Sequence, residues 1–540
     1  MKKPSLLFVA ACLCIALPGQ AAQPVADKTI FRAHLGFLAD DLLEGRDTGS
    51  RGYDISALYV ASQFQKYGLQ PKGDNGTYLQ QAPLRKGFLQ LESPAMSLLG
   101  KNGEQALVYM DDFLMGPSLL EDQSAKTAPL VFVGYGIQAD RFSHDDYAGI
   151  DVKGKIAVML SGKPSRFPTE EGAHFSSGAH KREIADKYGA VGIITLQTPI
   201  GEKASPFAKG RETRFMPSMD WLNAKGEPAN AVASLQNSAS LSMVAAQKLF
   251  TEVDVTLDEI YALAEANKPL PRMDLKLSAK MAKKSTRSPL TSNNVVGFIE
   301  GSDPKLKHEV VVFSAHLDHV GIVKEKTGDN IYNGAMDNAT GIATLIEMAR
   351  MFNELPVKPK RSMVFIAVTG EEKGLLGADY FARNPTVPKP SIVANVNFDM
   401  PILTFDFSSV VAFGAEHSNL KDVAAEAARK TGLQLIPDPM PEQGIFTRSD
   451  HYMFVKQGVP SIYLATGNTS FNKTEDATKI RTDFLKNHYH QVSDDLNLPI
   501  NYDAAARFVQ MNFQLALDVA NSPVRPAWNK GDFFGDTFKK

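Results

Sequence analysis

Two adjacent glutamates, Glu371 and Glu372, follow the apolar run Met363 to Val368, and Gly374-Leu375-Leu376-Gly377 comes directly after them. The run reads as a buried strand and the glycine-flanked segment as the start of a helix. Carboxylates at the carboxyl end of a strand stand where open α/β sheets bind ligands. Such a pair can divide two tasks, one binding a metal and the other taking a proton from water that the metal activates. Alone, a Glu-Glu pair is better read as two solvated charges.

Other residues of the same chemistry fall in the same kind of place. His316 follows the apolar Val310 to Phe313, and Asp399 follows Ile392 to Phe398. Asp337 precedes a helical face made by Ile342, Leu345, Ile346, Ala349 and Phe352, and His490 lies in a late loop. Imidazole and carboxylate suit zinc and similar divalent metals, and a carboxylate can bridge two metals about 3.5–4 Å apart. Each residue singly has an ordinary reading: a hydrogen-bonded core histidine, a helix cap, a turn aspartate, a loop histidine. Six functional groups arriving together at strand ends are harder to explain that way.

The elements that must position them alternate strand and helix after Thr291, with Val459 to Leu464 as a fourth strand. This predicts an α/β fold, a mostly parallel central sheet with helices on both faces. Residues 31–72 have helical spacing, interrupted by the turn-rich Gly45 to Gly52. Leu130 to Val133, Ile156 to Leu160 and Val191 to Leu196 read as short strands, Lys181 to Tyr188 as a helix, and the stretch to about Arg287 as looser. None of the strong ligand candidates fall in that region, so it reads as an inserted or preceding β-rich domain. The division expected is a signal segment 1–21, an N-terminal part of the chemical domain 22–118, an insert 119–287 and the main chemical domain 288–540.

Lys2-Lys3, the apolar Leu6 to Leu17 and Gly19-Gln20-Ala21 form a signal-peptide pattern, which predicts export to the periplasm or medium. Val9-Ala10-Ala11-Cys12 offers lipoprotein anchoring as a minor alternative. Both cysteines, Cys12 and Cys14, lie inside this segment. A formal net charge of −2 over 540 residues gives no basic surface for nucleic acid, and no later stretch has the apolar length of a transmembrane helix.

His316-Leu317-Asp318, Gly334 to Asn338, Glu371-Glu372, Asp399, Ser449-Asp450-His451-Tyr452 and Tyr489-His490 resemble the successive motifs of the co-catalytic dizinc aminopeptidases. Glutamate carboxypeptidase, glutaminyl cyclases and the transferrin receptor ectodomain are relatives in that family. Gly134 to Ile137, Asp145 to Tyr147 and Val152 to Ile156 resemble the protease-associated domain inserted in many members. The resemblance implies two zinc ions: His316 and Asp399 on one, Glu372 and His490 on the other, Asp337 bridging. It implies Glu371 as general base and then acid, Asp318 orienting His316, and Tyr489 as an oxyanion donor or a packing aromatic. Ser449 to His451 would shape the pocket, and His319, His451 and His488 would not be ligands. It further implies a cis peptide between Asp337 and Asn338.

The activity expected is hydrolysis of peptide substrates from the amino terminus. A carboxypeptidase or dipeptidase, for which Arg448 offers one carboxylate-binding group, a cyclase, and a metal-free receptor are the alternatives. No Gly-x-Ser-x-Gly elbow is present, and without a cysteine beyond the signal segment a covalent nucleophile is disfavoured. The sequence leaves the preferred side chain and the oligomeric state open.

Overall fold

A computed structural model describes residues 23–539 except 213, 324 and 325. The signal segment therefore lies outside the described residues. Four parallel strands, Ser461–Thr466, Ile392–Asn397, Val310–His316 and Ser362–Val368, form the centre of the main sheet. All four are buried on both faces, which is why they read as continuous apolar runs rather than alternating ones. Antiparallel strands flank them, Ser409–Phe413 at one side and residues 295–299 at the other. The sheet is thus parallel at its core and mixed at its margins.

Helices Lys28–Leu38, Arg51–Lys66, Thr340–Glu354 and Tyr502–Asn521 share one apolar core with one face of this sheet. Leu376–Arg383 and His451–Val455 cover the other. The first two helices come from the chain before the insert, so that N-terminal part is built into the same core. Among the described residues no helix is long and apolar enough to cross a membrane.

The looser stretch before Arg287 holds short helices and strands and ends in one 28-residue strand, Arg272–Ile299. Its first part pairs with 123–133 and 95–100 in a second sheet, and its last part with 79–89 and 362–368 in the main one. Leu275, Leu277, Ala279 and Met281 point inward between exposed lysines, an alternation diluted by small residues and broken by an irregularity between Asp274 and Ser278. The second sheet also takes in the hairpin Ala95–Gly100 and Gly103–Leu107. It therefore begins upstream of residue 119, where the sequence placed the insert. The hairpin's second strand is exposed at four of five positions, so no apolar period marks it. The runs at Leu130, Ile156 and Gly192 are strands as expected, and they align in a parallel ladder.

Two features fix the insert to the main domain. Ser218–Trp221 returns to pair with 84–87, and the Trp221 indole donates to Asp379 at 2.7 Å. At the other end His417 sits between Glu170 of the insert and Asp532, 2.6 Å away, which caps the C-terminal helix Phe533–Phe538. Burial pushes His417 down, but its bonds to Asp532 and Glu170 outweigh that and raise it to about 10. A histidine raised above its ordinary 6.5 contributes stability that is complete below about pH 6.5 and is lost as pH climbs through about 10. Thermal melts should therefore fall more steeply from pH 6.5 to 10 in the parent than in His417→Gln. Equal slopes would assign the alkaline loss to other groups.

Candidate metal centre

Parallel registry does the first positioning. His316 ends its strand opposite Val368, and Ser314 is level with Asn397, so Glu371-Glu372 and Asp399 emerge beside His316 at one sheet edge. Asp337 reaches the same place from the turn before Thr340–Glu354, across a cis Asp337–Asn338 peptide, as the sequence resemblance implied. Its Oδ1 lies 3.2 Å from His316 Nε2 and its Oδ2 3.1 Å from His490 Nε2. His316 Nε2 is also 3.1 Å from Asp399, and His490 Nε2 3.1 Å from Glu372.

Two groups of donor atoms result, His316/Glu371/Asp399 and His319/Asp337/Glu372/His490, each with its atoms within 4.8 Å of one another. Asp337 touches a histidine of both. The imidazoles report the excess negative charge. Burial lowers His490, yet Glu372 and bonds to Asp337 carry it to about 10. His316 rises well above its ordinary value against the same burial, through Asp399 and Glu371. Asp337 is held well below the usual carboxylate range by His316 and His490 although burial opposes it. Burial pushes Glu371 well above that range, with Glu372 and Asp399 adding to it.

The donor set fits divalent cations. Oxygen and imidazole ligands in two groups sharing one carboxylate match zinc chemistry. Glu372 Oε1 and both ring nitrogens of His319 are buried without hydrogen-bond partners. His319 Nδ1 is 2.8 Å from Glu372 Oε1, but the two are not aligned as a hydrogen bond. A buried polar atom left so needs a partner.

The surrounding residues correct one expectation and add others. The carboxylate of Asp318 does not take the ring N–H of His316. Two residues beyond a strand-end histidine, it is the Asp318 backbone carbonyl that lies 3.1 Å from His316 Nδ1. The Asp318 side chain instead accepts the amides of Glu371 at 3.0 Å and Glu372 at 3.3 Å, and the Thr48 hydroxyl at 3.1 Å. It pins the glutamate pair. His319, set aside by the family motifs, stands inside the second group. Ser449 donates to Asp399 and accepts from Asn397, in keeping with its expected place at the pocket wall, while His451 and His488 stay out of both groups.

Asp494 accepts the amides of Met336 and Asp337, and its carbonyl accepts that of Ala335. The loop after His490 thus holds the loop that presents Asp337. Gly334 makes the turn at φ +59°, where a Cβ would come within 2.1 Å of Asp337 O and 2.5 Å of His319 Cγ. Arg46 is 1% exposed, and its guanidinium donates to the carbonyls of Leu38, Leu317, Asn333 and Gly334. It bolts the loop after His316 to the loop before Asp337.

A cleft of about 830 Å³ opens over both groups. Met400, Ile402, Phe413 and Tyr463 form an apolar wall beside Asp399, and Tyr489 stacks on His490 with ring centres 4.0 Å apart. Ala204, Ser205 and Lys209 of the insert complete its rim.

Paired carboxylate-imidazole groups at the edge of a parallel sheet are the kind of donor set that can hold divalent metals for hydrolysis. Residues 294–516 match the model of Peptidase family M28. A solved aminopeptidase from Aneurinibacillus sp. strain AM-1 superposes with a TM-score of 0.53 at 20% identity, covering 93% of this chain and 95% of that one; it shares the fold. A "probable leucine aminopeptidase 2" of Aspergillus oryzae is 22% identical over 457 residues, 82% of this chain and 75% of the relative. A "Probable zinc metalloprotease" of Pyrenophora tritici-repentis is 43% identical over 67 residues, which span only 12% of this chain and 15% of that relative.

Proposed function

We propose that the chain is an exported zinc aminopeptidase with two metal ions. The observation that carries this reading is the Asp337 carboxylate, with one oxygen beside His316 and the other beside His490. His316 and Asp399 would hold one ion, Glu372 and His490 the other, and Asp337 both. Bound there, the ions supply Lewis-acid polarisation of the scissile carbonyl and lower the pKa of water toward neutrality.

The chain's own residues do the rest. Glu371, held by its amide bond to Asp318, takes the proton of the attacking water and returns it to the leaving amine as the C–N bond breaks. Tyr489, which lines the cleft, would donate its hydroxyl to the oxyanion. The apolar wall beside Asp399 receives an apolar first side chain. His319 sits against Glu372 and positions it. The insert, which resembles a protease-associated domain, would lend Ala204, Ser205 and Lys209 to the rim of the cleft, and the Lys2 to Ala21 pattern supports export.

Leucyl anilide should be hydrolysed, its N-acetyl form spared, and an N-terminal glutaminyl peptide shortened without pyroglutamate formation. A second reading has one specific observation in its favour. Arg448 and Arg481 both line the cleft, a pair able to hold a carboxylate as a carboxypeptidase requires. Cleavage of N-acetylated peptides from the carboxyl end would select that reading. A chelator should abolish activity and zinc or cobalt restore it, since carboxylates and imidazoles are the proposed ligands. Activity that survives in protein shown by elemental analysis to be metal-free would exclude both.

A further inference from the structure

The insert contains a cavity of its own, of about 530 Å³. It lies against the parallel strands Ile156–Leu160, Gly192–Leu196 and Ser238–Leu241 and is walled by the helix Gly178–Lys187. Gly178, Lys181 and Arg182 sit at i, i+3 and i+4 on that helix and so share the face that meets the cavity. Lys181, Arg182 and Arg214 put three cations in the wall, and among the described residues no carboxylate lines it.

Lys181 is only 5% exposed. Its ammonium donates to the carbonyls of Leu160 at 2.9 Å and Gly162 at 2.7 Å, which leaves one of its three N–H groups to spare. Among the described residues it forms no ion pair, and neither does Arg182, on which Glu183 and Asp220 act only at longer range. Burial pushes the Lys181 ammonium down to about 7, so an anionic ligand beside it would favour the charge that burial disfavours. The rest of the wall is divided between apolar groups such as Met159 and Phe207 and hydroxyls such as Thr195. Inorganic phosphate would use the cations and leave the apolar part idle. A peptide's last residue presents both a carboxylate and a side chain, and the volume is that of a small-ligand pocket.

The cavity also borders the catalytic cleft. Ser205 lines both, with Ala204 and Lys209 facing the cleft and Pro206 and Phe207 facing the cavity. We propose that this cavity is a second binding site, apart from the metal centre, for the carboxylate end of a peptide. The carboxylate chemistry stands on the cavity itself; that the carboxylate belongs to a peptide rests on the peptidase reading. The peptide is either a substrate whose far end passes Ser205 or a separate molecule.

Calorimetric titration of the full-length chain carrying Glu371→Gln, which removes the proposed general base under either peptidase reading, tests this without turnover, so its outcome is independent of whether the peptidase reading holds. The probes are an N-acetylated leucyl tripeptide with a free carboxylate and the same tripeptide as its carboxamide. The free acid is expected to bind at least about tenfold tighter than the amide, as for loss of a charge-assisted bond. Arg182→Glu, on the outer part of the helix, should remove that advantage, and Arg448→Glu in the cleft should not. Equal binding of acid and amide, or an advantage lost in Arg448→Glu and kept in Arg182→Glu, would overturn the proposal. An aminoacyl hydroxamate filling the cleft separates the two sources. It should weaken binding of a substrate's far end and leave a separate peptide unaffected, and either result leaves the site in place.

Discussion

Glu371→Gln is expected to lower kcat by about 10²–10⁴-fold while zinc content stays that of the parent. Glu371 shares a donor group with His316 and Asp399, yet the five residues assigned to the metals do not include it. Its backbone is held by the Asp318 carboxylate, which the amide substitution leaves untouched, so the loss should come from proton transfer alone. Burial and the neighbouring Glu372 and Asp399 push its carboxyl upward, the direction that makes a carboxylate a better base at neutral pH. Glu372→Gln should behave differently, weakening zinc at the group that contains His490. Kinetics with elemental analysis on both variants separate the roles. Parental turnover in Glu371→Gln would remove it from the mechanism.

Arg46→Met is expected to destabilise the protein by about 3 kcal/mol or more and to lower zinc affinity with it. Four backbone carbonyls would lose a charged donor in a place closed to water, and each orphaned buried acceptor costs about 1–3 kcal/mol. The loops released are the one after His316 and the one before Asp337, so both metal groups should loosen together. Arg46→Lys can restore a charge but not the fork that reaches four carbonyls, and should recover only part of the loss. Urea melts and zinc titration measure the two effects. Lost stability with unchanged zinc affinity would limit Arg46 to a structural role.

Of the proposed ligands, His316, Glu372 and Asp399 were legible because each follows the end of an apolar run, whereas Asp337 and His490 came from the family resemblance. Val310 to His316, Met363 to Val368 and Ile392 to Asn397 announce buried strands, and residues just beyond the carboxyl end of such a strand in an α/β sheet face the ligand edge. The groups that hold the ligands were not legible, because their partners are distant in sequence and carry no period. Arg46 acts on a carbonyl 288 positions away, and Asp494 on an amide 158 away. Arg46 stands in a turn-rich segment that reads as a surface loop. Asp318 was recognised, but a motif gives a residue and not which of its atoms does the work. His319 was set aside for the same reason, since its neighbourhood to Glu372 depends on how the chain turns after the strand.

The bridging position proposed for Asp337 is central to the two-metal reading, and zinc titration of metal-free protein tests it most directly. Two equivalents of zinc per chain are predicted, with hydrolysis of leucyl anilide rising with the bound metal, and Asp337→Asn should weaken both equivalents at once. Full activity at one equivalent, or an Asp337→Asn variant that binds two as tightly as the parent, would contradict a shared carboxylate between His316 and His490.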